Sequence, residues 1–168
     1  MLPKNHILIN LITSLILLLF FKPVFVLIFF LAAVLIDADH YLYYVIEEKD
    51  LSFKRAFKWF VVNRKKMYAM SREERKKHKN WFLIFHGVEV LTLLFILSQY
   101  YSIIYFVFFG FLAHLIQDMF EDIPLGVAER KLFLFYAIYK HVHHKKRLKN
   151  EPEYAKQYKK QYNNIKVS

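Results

Sequence analysis

Four stretches of the chain are apolar and almost without charge. They are residues 7–21 (ILINLITSLILLLFF), 24–36 (VFVLIFFLAAVLI), 81–97 (WFLIFHGVEVLTLLFIL) and 100–116 (YYSIIYFVFFGFLAHLI). A helix that is apolar all round must be buried, in a large core or in a bilayer. A membrane span needs about 20 mostly apolar residues. The chain has 168 residues, enough for one domain, yet 57% of them are hydrophobic and 19% aromatic, which is rich for a soluble protein of this size. Counted with their flanking aromatic and ionisable residues, the four segments fit short spans. The expectation is an all-α integral membrane protein, a four-transmembrane-helix bundle built from two helical hairpins. A cleaved leader over residues 1–33, with Lys4 as its basic start, is the weaker reading, because the apolar run passes Lys22-Pro23 straight into a second span. With no cysteine, disulfides and thiolate metal sites are excluded.

The net charge of +11 is unevenly placed. Residues 47–80 hold 12 Lys and Arg and residues 140–168 hold nine, whereas the connection at 98–101 has none and that at 22–23 only Lys22. The positive-inside bias therefore puts both termini and the 47–80 loop in the cytosol, with the hairpins turning near Lys22-Pro23 and Tyr100 on the far side. This divides the chain into a membrane domain at 1–139, carrying the basic loop, and a basic cytosolic tail at 140–168. Within the loop, Phe53, Ala56, Phe57, Phe60 and Val61 fall at helical spacing between cations, the pattern of a helix lying in the membrane surface. Ser71 and Glu74 form a candidate capping box for a second short helix. In the tail, "RKLFLFYAIYKHVHHKKR" is a further interfacial candidate, and the polar end "EPEYAKQYKKQYNNIKVS" is expected to fray. The expected partners of the basic segments are anionic lipid headgroups; no nucleic-acid module accompanies them, so no nucleic acid is expected.

Against this background the stretch "FFLAAVLIDADHYLYYVI" stands out, because Asp37, Asp39 and His40 interrupt an apolar run. Ionisable groups there cost several kcal/mol unless compensated. The hairpin arithmetic supplies a compensation. Measured from the first turn, His6 and Asp39 each lie 16–17 residues away; from Tyr100, His86 and His114 each lie 14 away. At 1.5 Å per residue all four sit about 21–25 Å from the outer turns, near the cytosolic edge of the bilayer. Asp37 and His40 share a face, as do His114 and Asp118, with Gly110 one turn earlier; in an unbroken helix Asp39 would point elsewhere. On the first segment His6 continues into the polar stripe Asn10, Thr13 and Ser14.

Imidazoles and carboxylates without thiolates suit zinc, manganese or iron. His6, Asp37, Asp39, His40, His86, His114 and Asp118 are seven candidate ligands, more than one tetrahedral ion needs, and two neighbouring ions would make a hydrolytic site. Asp39 and Asp118 are the candidate general bases. Each residue also has a plainer reading, as a helix end meeting water or a buried hydrogen-bonding group. Glu89, three residues after His86, is open between ligand, base and orienting group. His78, His141, His143 and His144 sit in basic segments and are left outside the ligand set.

An early His6, then "DADH" at 37–40, then His86 in "FLIFHGVE", then "GFLAHLIQD" at 110–118 resemble the LexA-binding, inner-membrane-associated hydrolase family, also described as membrane-bound metal-dependent hydrolases. The resemblance covers roughly residues 1–126. It departs where the family has Pro before the first Asp, here Ile36, and at an Arg-Gly-x-Thr-His-Ser segment, here Phe85 before His86 and Gly87 after it. The family is distantly similar to zinc-dependent phospholipases C. The resemblance implies a metal-dependent hydrolase in the plasma (inner) membrane, and phosphoester cleavage of a lipid or other amphiphilic substrate. The rival functions are a non-enzymatic metal-binding transporter or sensor component, and a scaffold whose carboxylates are only hydrogen-bonded.

Overall fold

In a computed structural model of the chain, residues 3–77, 83–128 and 132–164 are described; His78 and the start of the third apolar segment lie outside them. The described residues form helices and connections, with no strand among them. In chain order these are α1 (Pro3–Leu17), α2 (Pro23–Leu35), α3 (Ala38–Glu48), α4 (Phe53–Ala69), α5 (Arg72–Lys77), α6 (Val88–Ser98), α7 (Ser102–Leu125), α8 (Leu134–Asn150) and α9 (Pro152–Asn164).

The two apolar hairpins turn where the sequence puts them. Chain reversal between α1 and α2 uses tight three-residue hydrogen bonds, Leu19 N to Ile16 O and Phe20 N to Leu17 O, before Pro23 opens α2. A proline is favoured there because the first helical N–H has no intrahelical partner. The second reversal lies at Gln99–Tyr101. The helix lengths are less even than four matched spans. Among the described residues, two helices are long and apolar enough to cross a membrane, Pro23–Glu48 (α2 continued by α3) and α7. At 15 and 11 residues, α1 and α6 extend only about 22 and 16 Å, short of a ~30 Å core. The third segment loses length because residues 83–87 are not helical, and α6 starts only after Gly87.

Where the second apolar segment was expected to close at residue 36, the chain tightens and then continues. Asp39 N reaches Ile36 O at 3.4 Å and His40 N reaches Asp37 O at 3.1 Å, so the register shifts at Ile36-Asp37 before α3 runs on to Glu48. Lys49, in the left-handed region at φ 53°, ends it. The assumption of an unbroken helix through "DADH" therefore fails, and Asp39, which would have pointed away, is buried.

Helix α7 packs closely on α2. A Cβ at Gly110 would lie 2.6 Å from Phe29 O, 2.9 Å from Ala32 Cβ and 3.0 Å from Ala33 N. Glycine is required at this crossing, since the obstacle is backbone that cannot swing aside. Phe25 and Phe106 stack at 4.7 Å further along the same seam.

The basic loop folds back over this core. Asp50 joins α3 to α4: it accepts from Arg55 Nε and Nη2 at 2.6 and 2.7 Å, from the Tyr44 hydroxyl, and from Ser52 N at 2.9 Å. The Arg55 guanidinium, helped by Tyr44 and Ser52, holds this carboxyl below the usual carboxylate range. Trp59 Nε1 donates to Glu48 Oε1 at 2.9 Å. Helix α4 buries Ala56 and leaves Phe53 and Phe57 exposed, so its apolar stripe is only partly used by the protein. The Ser71–Glu74 capping box forms, with Ser71 N donating to Glu74 Oε2 at 2.7 Å and Glu74 N to Ser71 Oγ at 3.3 Å.

The polar end that the sequence expects to fray is helical to Asn164. Tyr154 and Tyr158, four apart on one face of α9, both meet the ring of His144, at 5.8 and 4.8 Å, and the Arg147 guanidinium lies 3.9 Å over Tyr154. These contacts order a segment that its own composition leaves weak.

The Gly110 crossing yields a test. Gly110→Ala is expected to lower the stability of detergent-purified protein by about 1–3 kcal/mol through overpacking, read as a fall in melting temperature. An unchanged melting temperature would mean that α2 and α7 do not approach this closely.

Candidate metal centre

The seven sequence candidates come from five places in the chain, namely α1 (His6), the α2–α3 junction (Asp37), α3 (Asp39 and His40), the 83–87 turn (His86) and α7 (His114 and Asp118). They converge. Three overlapping groups have potential ligand atoms within 4.8 Å of one another: His6, His114 and Asp118; Asp37, His86 and His114; and Asp39, His40 and His86.

The arrangement follows from what each Nδ1 does. His114 Nδ1 lies 2.8 Å from the carbonyl oxygen of Ala33 on α2. A carbonyl only accepts, so Nδ1 carries a proton, and it is Nε2 that is left to act as a ligand. His6 Nδ1 lies 3.2 Å from Gln117 Oε1, and the orientation of that amide is fixed by Gln117 Nε2 donating to Asn10 Oδ1 at 2.8 Å. His86 Nδ1 lies 3.0 Å from Asp39 Oδ2, which also accepts from Phe85 N at 2.9 Å. All three rings thus turn Nε2 inward.

Those Nε2 atoms face two carboxylates. His6 Nε2 is 3.3 Å from Asp118 Oδ1; His86 Nε2 is 3.5 Å from Asp37 Oδ1 and 3.6 Å from Asp118 Oδ2. His114 Nε2 is 3.4 Å from Asp37 Oδ1 and 3.9 Å from Asp118 Oδ2, and it makes no hydrogen bond. His6 and His114 stack with centroids 4.2 Å apart. His40 Nδ1 lies 3.2 Å from both Asp37 Oδ1 and Asp39 Oδ1. His6, Asp39, His86, His114 and Asp118 are buried to within a few per cent, while the Asp37 and His40 side chains keep 27% and 22% of their exposure and form the open side.

Imidazole nitrogens set against carboxylate oxygens in a buried place need a proton or a metal ion between them. The separations, longer than an ordinary hydrogen bond, suit a metal ion. Two ligands of a tetrahedral zinc at about 2.0–2.1 Å stand ~3.3 Å apart, close to the 3.3–3.6 Å between these nitrogen and oxygen atoms. Buried His/Asp groups able to hold a metal ion are therefore present, and Nδ1 partners that fix each ring are the usual outer shell of such sites.

Several roles are sharper than the sequence allows. Asp39 Oδ2 is engaged in orienting His86 and in satisfying the backbone of a non-helical turn. Glu89, open in the sequence, accepts from Leu134 N and Phe135 N at 3.0 and 3.3 Å and so caps α8. The intervening Gly87 has no room for a side chain, since a Cβ would lie 2.6 Å from Glu89 Oε2 and 2.9 Å from Leu134 Cβ. His141 pairs with Glu47 at 3.6 Å and His144 with the Tyr154 hydroxyl at 3.0 Å, away from the cluster. Gln117 was missed. Its signal was available, since positions 110, 114, 117, 118 and 121 share one face of α7.

The orienting role of Asp39 is measurable. Asp39→Asn, which keeps an acceptor but loses the charge, is expected to weaken metal binding about 10- to 100-fold in chelator competition. His114→Ala should lose it. Wild-type metal retention in His114→Ala would remove the imidazole cluster from consideration.

No protein-family model matches the chain, and no curated protein or solved structure matches it.

Proposed function

We propose that the protein is a membrane-embedded, metal-dependent hydrolase that cleaves a phosphoester of a lipid or other amphiphilic substrate at the cytosolic leaflet. The observation that carries this reading is the inward-facing set of three imidazole Nε2 atoms against Asp37 and Asp118, with each Nδ1 already bonded. Four spanning or partly inserted segments, α1, α2–α3, α6 and α7, would set this cluster near the cytosolic edge of the bilayer. Charge bias supports cytosolic termini, and the family resemblance supports the plasma (inner) membrane.

Two ions, zinc by ligand chemistry and otherwise manganese or iron, fit seven donors better than one. Bound there, they would lower the pKa of a water and stabilise charge developing on a phosphoryl oxygen. The chain's own residues do the rest. His6, His86 and His114 hold position through Gln117, Asp39 and Ala33. Asp118 directs Oδ1 at His6 and Oδ2 at His86 and His114, so with these imidazoles it would help to hold the metal. Asp39 and Asp118 are the two candidate bases for the proton of an attacking water. Asp37 and His40, the exposed members, form the entrance. The exposed Phe53 and Phe57 of α4 and the surrounding cations suit an approach from an anionic lipid surface.

The experiment is a phospholipid hydrolysis assay on protein reconstituted in anionic vesicles, with water-soluble headgroup release as readout. Activity should depend on added zinc or manganese, vanish with a chelator, and drop by at least about 100-fold in Asp118→Asn. Stoichiometric metal without turnover of any phosphomonoester or phosphodiester would favour the sensor or transporter reading instead.

A further inference from the structure

One cation stands beside the cluster without belonging to it. Arg64 lies on α4, and its guanidinium is paired with Glu121 on α7. Two independent elements bring it there. On α7, Glu121 follows Asp118 by three residues and so occupies the next turn of the same face. On α4, Arg64 follows Phe60 by four, and the Phe60 ring meets the edge of His40 at 5.4 Å. Arg64 therefore sits one helical turn from a residue touching the open side of the cluster, and its anchor sits one turn from Asp118.

The guanidinium is held but not consumed. Both of its hydrogen bonds among the described residues leave from Nη2, to Glu121 and to the Tyr68 hydroxyl at 3.4 Å. Nε and Nη1 make none, and the side chain keeps 27% of its exposure. A carboxylate that grips Nη2 fixes the plane of the guanidinium and leaves the Nε–H and Nη1–H donors open to a second anion. Arg55, by contrast, spends Nε and Nη2 together on Asp50.

We propose that Arg64, positioned by Glu121, is an anion-binding site for the phosphoryl group of the amphiphilic substrate. This rests on the hydrolase reading above and extends it by giving the substrate's phosphoryl oxygens a contact outside the ion cluster. A phosphomonoester, with three terminal oxygens, can set oxygens against the cluster and another against the Nη1 donors, a division that a planar carboxylate, with two oxygens in all, matches less well. The interfacial helix α4 thus contributes to substrate recognition as well as to membrane contact.

The test measures binding of inorganic phosphate and of a short-chain phosphatidate to metal-loaded full-length protein in detergent, by calorimetry. Loss of a charge-assisted contact predicts about 10- to 100-fold weaker binding of both probes in Arg64→Gln. Arg64→Lys should recover part of it, and Arg55→Gln should bind as wild type. Metal content, measured on the same samples, should be equal in all four proteins. Unchanged affinity in Arg64→Gln, or an equal loss in Arg55→Gln, would overturn the role of Arg64 and leave the hydrolase reading standing. Wild type that binds phosphate but not phosphatidate would keep Arg64 as an anion site and overturn the amphiphilic substrate. Metal-loaded wild type that binds neither probe would overturn the phosphoester reading itself.

Discussion

The hydrogen bond from His114 Nδ1 to the carbonyl of Ala33 is the contact on which the rest depends. A side chain on α7 can reach the backbone of α2 only because the helices meet at Gly110, where even a methyl group would strike Phe29 O. The same bond settles the chemistry of the ring. With Nδ1 committed to a carbonyl, His114 turns Nε2 inward, and the stacked His6 and the edge-on His86 do likewise through Gln117 and Asp39. Close packing, tautomer and ligand direction are one constraint seen at three levels.

That constraint also explains how a mostly apolar chain tolerates carboxylates in its interior. Asp37, Asp39 and Asp118 are set against imidazoles, and Asp39 also accepts from the Phe85 N–H. The non-helical turn at 83–87, costly in an apolar setting, has its Phe85 N–H satisfied by Asp39 and its Gly87 pressed beneath the Glu89 cap of α8. Irregular backbone occurs here where a site needs it. The break at Ile36-Asp37 has the same logic, because the shift in register brings both Asp37 and Asp39 to the cluster.

Much of this was legible in the sequence. The hairpin turns and the equal offsets of His6, Asp39, His86 and His114 come from counting residues between apolar ends, a property that survives modest errors in helix limits. The capping box at Ser71 and Glu74 is local and was equally readable. Helix lengths were not. Hydropathy reports which residues avoid water, and it runs unchanged through the residues 83–87 that leave the helix and past Leu17, where α1 ends. The positions of Gln117, Glu89 and Arg64 depend on which helices meet, so their partners 45 to 111 residues away could not be paired from one chain. The order of the polar end beyond Glu151 rests on Tyr154 and Tyr158 finding His144, a tertiary contact that local composition hides.

The proposed metal centre joins three imidazoles and two carboxylates. Its most direct test is elemental analysis of the detergent-purified wild-type protein by mass spectrometry after metal resupply and removal of unbound ions. Near-stoichiometric zinc, manganese or iron is expected, about two ions per chain. A protein that stays folded and carries none would contradict it, and would leave the buried aspartates as hydrogen-bonded parts of the scaffold.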